Sequence, residues 1–149
     1  MIATPTDRAI FIDSWALLAL ANRSDGHHKV AADTYEDIKL QKYLKVTSDF
    51  VLDETITSLF NKMNFDGAQR FVEALFVDIK SGQIRMERID EDRFNYEWLL
   101  RTVYRDKPDI SFTDLTSCVL MKDLDISKVF TGDRHFKEVN LGFEILLDI

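Results

Sequence analysis

Ile10-Phe11-Ile12-Asp13-Ser14-Trp15-Ala16-Leu17-Leu18-Ala19-Leu20 is the stretch whose reading decides the fold. Ala9 to Ile12 is a short apolar run of strand length, and Ser14 to Ala21 is an apolar helix that begins with no loop between them. A strand that is apolar at every position, rather than at alternate ones, is covered on both faces and belongs to a parallel sheet. Asp13 stands at the junction. Its carboxylate, or the Ser14 hydroxyl, can accept from the free N–H groups at the helix start, so the plain reading is a cap. The same place, at the carboxyl end of a strand, is where ligands bind in open α/β sheets, and a carboxylate there is well placed to hold a metal ion. The choice turns on whether other carboxylates reach similar positions.

Working outward, Asn22-Arg23-Ser24-Asp25-Gly26 is a loop by composition, and His27 to Gln41 is helical, with Ala31, Tyr35 and Ile38 as its inward stripe. Tyr43 to Thr47 is a second strand. Ser48 or Asp49 caps a helix over Phe50 to Met63, in which Val51, Ile56, Leu59, Phe60 and Met63 face inward and Asp53-Glu54 lie in the early turns. Asp66 to Ser81 has the clearest helical period, carried by Ala68, Phe71, Val72, Leu75, Phe76 and Ile79, and Gly82 closes it. Gln83 to Ile89 is a third strand. Asp90 caps a helix to Arg105 whose apolar members include Phe94, Trp98, Leu99 and Val103; Lys107-Pro108-Asp109 ends it. Ser111-Phe112-Thr113-Asp114 opens a helix with Leu115, Val119, Leu120 and Leu124 buried. Lys128 to Thr131 and Phe143 to Leu147 are the last strands, separated by Gly132-Asp133-Arg134-His135-Phe136. Strands alternating with helical crossovers predict an α/β fold with a mainly parallel sheet of about five strands, covered by helices on both faces.

With 149 residues and no Pro/Gly/Ser-rich linker, residues 1–149 read as a single domain. The 46% hydrophobic and 30% charged content is that of a globular chain, not a disordered one. No apolar run approaches the roughly 18–20 residues of a membrane span, and the N-terminus lacks the pattern of a signal peptide, so the expected location is cytoplasmic with no membrane partner. Cys118 is the only cysteine, which excludes an intrachain disulfide and a cysteine zinc cluster. A net charge of −7 argues against a broad basic surface for nucleic acid, but it leaves open nucleic acid chemistry at a metal. Clustered carboxylates repel one another, and a divalent cation both relieves that repulsion and attracts a phosphate.

Asp13 follows a strand, Glu54 and Asp114 lie near helix starts, and Asp133 sits just past another strand. In a parallel sheet these positions share one rim. Phe11-Ile12-Asp13-Ser14 before a small-apolar helix, Asp25-Gly26-His27-His28, Val51-Leu52-Asp53-Glu54-Thr55, Ser111-Phe112-Thr113-Asp114 and Thr131-Gly132-Asp133-Arg134-His135-Phe136 occur in that order along nearly the whole chain. This ordered set resembles the PIN-domain nucleases, and most closely the VapC-type toxin ribonucleases of type II toxin-antitoxin pairs. Ser14 replaces the threonine often found at that place and keeps its hydroxyl.

The resemblance implies a PIN-like, Rossmann-like three-layer fold. It further implies a pocket in which Asp13, Glu54, Asp114 and Asp133 serve catalysis and bind Mg²⁺ or Mn²⁺, Asp13 and Asp114 most directly. Ser14 and Thr131 would orient those acids. Asp53 and Asp109 have no place in the motif. The activity implied is hydrolysis of RNA phosphodiester bonds, with a cognate antitoxin protein and a homodimer as expected partners. Two other readings are a PIN-domain nuclease of RNA maturation or decay that needs no antitoxin, and a non-catalytic cation-binding α/β module. His27 and His28 point to different sides of a helix start and read as structural. His135, with Arg134 and Lys137, is open to two readings, phosphate contact or a solvated loop. Phe71, Phe76 and Trp98 read as core or interface, whereas Trp15 stands beside the proposed pocket. Cys118 reads as a small core residue.

Overall fold

In a computed structural model of the chain, residues 8–147 are described. The elements run β1 (Ala9–Ile12), α1 (Ser14–Ala21), α2 (His28–Leu40), β2 (Leu44–Ser48), α3 (Asp49–Lys62), α4 (Phe65–Lys80), β3 (Ile84–Glu87), α5 (Glu91–Val103), α6 (Phe112–Asp123), β4 (Lys128–Phe130), α7 (His135–Glu138) and β5 (Glu144–Ile145). The strands form one sheet in the order β3-β2-β1-β4-β5, and every pairing is parallel. The parallel α/β sheet of about five strands expected from the sequence is the one observed, with β1 at its centre.

All four residues of β1 are buried, and Ile10, Phe11 and Ile12 have no exposed surface. Each such side chain contributes about 1.5–3 kcal/mol by leaving water. The chain leaves β1 to pair with β2 on one side and returns as β4 on the other, so the strand order reverses beside β1. Pairing of Ile12 with Phe130 sets the next residues, Asp13 and Thr131, side by side at the carboxyl edge. Two bonds pin that edge: the Asp13 N–H donates to the Phe130 carbonyl at 3.2 Å, and the Thr47 hydroxyl donates to the Ile12 carbonyl at 3.0 Å.

The helix starts have local causes. Ser48, Asn64, Asp90 and Ser111 each accept from an N–H in the first turn of α3, α4, α5 and α6. Gly82 ends α4 with φ +85°, a conformation that costs glycine little. Among the described residues no helix is long and apolar enough to cross a membrane.

The exposed faces of three helices differ from expectation. Phe60 and Phe76 are 36% and 48% exposed, although Val51, Leu59, Val72 and Leu75 beside them are buried. The larger departure is α5, which exposes Phe94, Trp98, Leu99 and Val103 and turns Arg93, Glu97, Leu100 and Arg101 toward the body. Polar contacts fix this orientation. Arg93 pairs with Glu87 and Asp123, while Arg101 donates to the carbonyls of Tyr104, Lys107 and Ile110.

Candidate active site

The Asp13 side chain does not cap α1. The helix start is held by the Asp13 carbonyl, which accepts from the N–H groups of Ala16 and Leu17, and no side-chain cap bond is made. The carboxylate turns instead to the carboxyl edge of the sheet, where Oδ2 accepts from the Thr131 hydroxyl at 2.8 Å. Its other oxygen, Oδ1, is buried and has no hydrogen-bond partner. An anionic oxygen stripped of water and left unpaired is costly unless a cation or a proton meets it.

The other three acids reach the same edge. Asp114 lies in the first turn of α6, 5% exposed, and Asp133 follows β4 in a loop anchored by its N–H donating to Thr131 Oγ1 at 3.0 Å. Glu54 lies on α3, which packs against α1, and its Oε1 accepts from the Ser14 hydroxyl at 2.6 Å. Asp53 and Asp109 are exposed.

Proximity shows in the protonation of these groups. Burial first, and then the charges of Asp114, Asp133 and Glu54, push Asp13 up to about 7 against the opposing Thr131 hydrogen bond. Burial, then Asp133 and Glu54, pushes Asp114 up to about 6, with His135 working the other way. Carboxylates that raise one another's pKa in a partly desolvated pocket are a feature of functional sites.

The sequence pattern of the PIN domain family matches residues 10–141. The chain belongs to the PIN domain family. Its structure is similar to the crystal structure of Mycobacterium tuberculosis VapC20, a sarcin-ricin loop cleaving toxin, with a TM-score of 0.77 and 27% identity over 91% of this chain and 97% of that one. Comparison with curated proteins gives no significant match. The likeness to VapC-type PIN nucleases read from the sequence thus holds at the level of the fold.

Within this PIN fold, one residue left open by the sequence sits among the acids. The His135 ring nitrogen Nδ1 lies 3.1 Å from Asp114 Oδ2 and 3.2 Å from Asp133 Oδ1. Ligand atoms of Asp114, Asp133 and His135 all fall within 4.8 Å of one another, a tight group that does not include Asp13 or Glu54. Partial burial opposes charge on the ring, but Asp133 and the bond to Asp114 outweigh it and raise its pKa. The signal in sequence was only its place two residues after Asp133. His27 and His28 have other partners: the His28 ring pairs with the Ala19 carbonyl at 2.8 Å, and His27 packs on Trp15 with ring centroids 5.1 Å apart. Trp15 also fixes the loop after β4, because a Cβ on Gly132 would come within 2.5 Å of its indole. Cys118 is buried behind Asp13 and Asp114, and burial with those two charges pushes its thiol well up, which makes it an inert packing residue.

The donor set fits a divalent cation. It supplies several carboxylate oxygens, one of them buried and unpartnered, at the edge where α/β folds bind ligands.

Proposed function

We propose that residues 1–149 form one nuclease domain that cleaves RNA as a divalent-metal-dependent endoribonuclease, and that it is the toxin of a type II toxin-antitoxin pair. The observation that carries this reading is the unpartnered, buried Oδ1 of Asp13 in a pocket shared with Asp114, Asp133 and Glu54. The resemblance to VapC20 supports the choice of RNA and of an antitoxin, and the reading places the protein in the cytoplasm, with a homodimer as its expected state.

In the proposed site Asp13, Asp114, Asp133 and Glu54 hold Mg²⁺ or Mn²⁺. When bound, such a cation supplies Lewis-acid stabilisation of charge on the scissile phosphate and lowers the pKa of water. The protein's own groups do the rest. Thr131 fixes the Asp13 carboxylate and the Asp133 loop together, and Ser14 holds Glu54, so the acids keep one arrangement as substrate arrives. A water oxygen bonds to phosphorus as its proton passes to a pocket carboxylate, the P–O3′ bond breaks, and the departing 3′ oxygen takes up a proton from solvent. The products are a 5′-phosphate and a 3′-hydroxyl.

The test is incubation of the purified chain with a stem-loop RNA and Mg²⁺ or Mn²⁺, followed by end analysis of the fragments. The reading predicts cleavage that EDTA stops and fragments bearing 5′-phosphates. Cleavage unaffected by EDTA, or fragments ending in 2′,3′-cyclic phosphate, would contradict it.

A further inference from the structure

We propose that His135 is itself a ligand of the bound cation, through Nδ1, and that this nitrogen tilts the site toward Mn²⁺ over Mg²⁺. The inference rests on the metal-dependent reading above and adds to it a mixed nitrogen and oxygen donor set.

Three observations carry it. Nδ1 stands 3.1 Å from Asp114 Oδ2 and 3.2 Å from Asp133 Oδ1. Donors about 2.1 Å from one octahedral ion lie about 3 Å apart when adjacent, so this spacing is that of neighbouring ligands. Next, Oδ1 of Asp13, in a residue 1% exposed, is buried without a hydrogen-bond partner, and the charges of Asp114 and Asp133 act on the same carboxylate, which makes it an independent acceptor for a cation at this edge. Finally, the main chain that carries the imidazole is held in place. The backbone N–H of His135 donates to Asp133 Oδ1 at 2.9 Å, and the next residue, Phe136, is 1% exposed in the core. The base of the side chain therefore stays beside the two acids.

The chemistry gives the direction of selectivity. Both ions favour oxygen donors, but Mg²⁺ is the harder and dehydrates reluctantly, whereas Mn²⁺, a first-row transition ion, tolerates one imidazole nitrogen among its oxygens better. With His135 as a ligand, Mn²⁺ gains a bond that Mg²⁺ values little. The rival explanation is that His135 only bridges the two acids as a counter-charge and withdraws when a metal binds.

Electron spin-echo spectroscopy of the Mn²⁺-loaded full chain separates the two, because it detects nitrogen bound to Mn²⁺ without reference to activity. The wild-type protein should show nitrogen modulation that is lost in His135→Ala and in His135→Gln. In parallel titrations with the metals alone, both substitutions should weaken Mn²⁺ about tenfold and Mg²⁺ less than about twofold. Circular dichroism checks the fold of each variant, and the wild-type spectrum stands by itself if one of them fails to fold. Bound Mn²⁺ without nitrogen modulation in the wild type, or with modulation that survives both substitutions, overturns the role of His135 and leaves the metal-dependent reading intact. Absence of any Mn²⁺ or Mg²⁺ binding to the wild type overturns both.

Discussion

The Thr131 hydroxyl donates to Asp13 Oδ2 at 2.8 Å across 118 residues of sequence, and its oxygen, Oγ1, accepts from the Asp133 N–H at 3.0 Å. One buried side chain thus ties the end of β1 to the loop after β4. Thr131→Val keeps the shape and removes both bonds. It should lower metal affinity or RNA cleavage by about 10- to 100-fold, with a smaller change in melting temperature. Titration calorimetry beside a cleavage assay measures this, and unchanged values in both would show that the acids hold their places without Thr131.

Asp13 links the site to stability. Its pKa in the folded, metal-free protein is about 7, raised from 3.8 first by burial and then by Asp114. A raised carboxyl pKa means that the folded state favours the protonated form. The contribution of Asp13 to the stability of the metal-free protein is therefore fully present below about pH 4 and is lost as pH rises through about 7, and the raised pKa of Asp114 acts in the same direction. Asp13→Asn should therefore stabilise the metal-free chain at pH 7.5 by an amount on the order of 2–4 kcal/mol and change little at pH 4, as read by denaturant melts in EDTA. The same substitution should abolish metal-dependent cleavage. Destabilisation at pH 7.5 would instead make Asp13 a structural residue.

Glu97 is a buried acid outside the pocket that holds Asp13 and Asp114. It is fully buried on α5 with both carboxylate oxygens unpartnered. Burial, with Asp49 and Asp90 adding to it and Arg93 opposing, pushes it up to about 8 from 4.5. The sign is again that of a raised acid: its contribution is favourable below about pH 4.5 and fades as pH rises to about 8. Glu97→Gln should raise the melting temperature at pH 8 and leave it nearly unchanged at pH 4.5. Thermal melts at the two pH values check this, and equal shifts at both would point to packing rather than charge.

Gly132 is constrained by Trp15 rather than by its own backbone angles. An added Cβ would meet the indole at 2.5 Å, so Gly132→Ala must displace either Trp15 or the loop that carries Asp133. A loss of about 1–3 kcal/mol is expected from such overpacking, together with weaker metal binding. Gly132→Ala combined with Trp15→Ala should recover part of both, and a double variant no better than the single one would remove Trp15 as the cause.

The sheet was legible because its central strand is apolar at every position and the starts of α3, α5 and α6 carry Ser or Asp as caps. Those signals are local, and β1, α1 and the start of α6 lie where they indicate. The four acids were legible only as an ordered motif, since their convergence depends on the reversal of strand order beside β1. Asp13 shows the limit of local reading: a position that suits a cap is held by its carbonyl, and its side chain is freed for the pocket. The inward face of α5 could not be read from hydrophobic period, because Arg93, Glu97 and Arg101 fill it and are satisfied by partners or left as a buried acid. His135 gave no pattern beyond its place after Asp133, and only the folding of α7 against α6 brings its ring to Asp114.

The central claim is that the acids at the carboxyl edge of the sheet cleave RNA, and Asp114→Asn tests it most directly. The substitution keeps the size and the buried position and removes one negative charge. In a cleavage assay with Mn²⁺, on protein whose melting temperature shows it folded, the account predicts a loss of at least about 100-fold relative to wild type. Cleavage by the folded variant at the wild-type rate would contradict it.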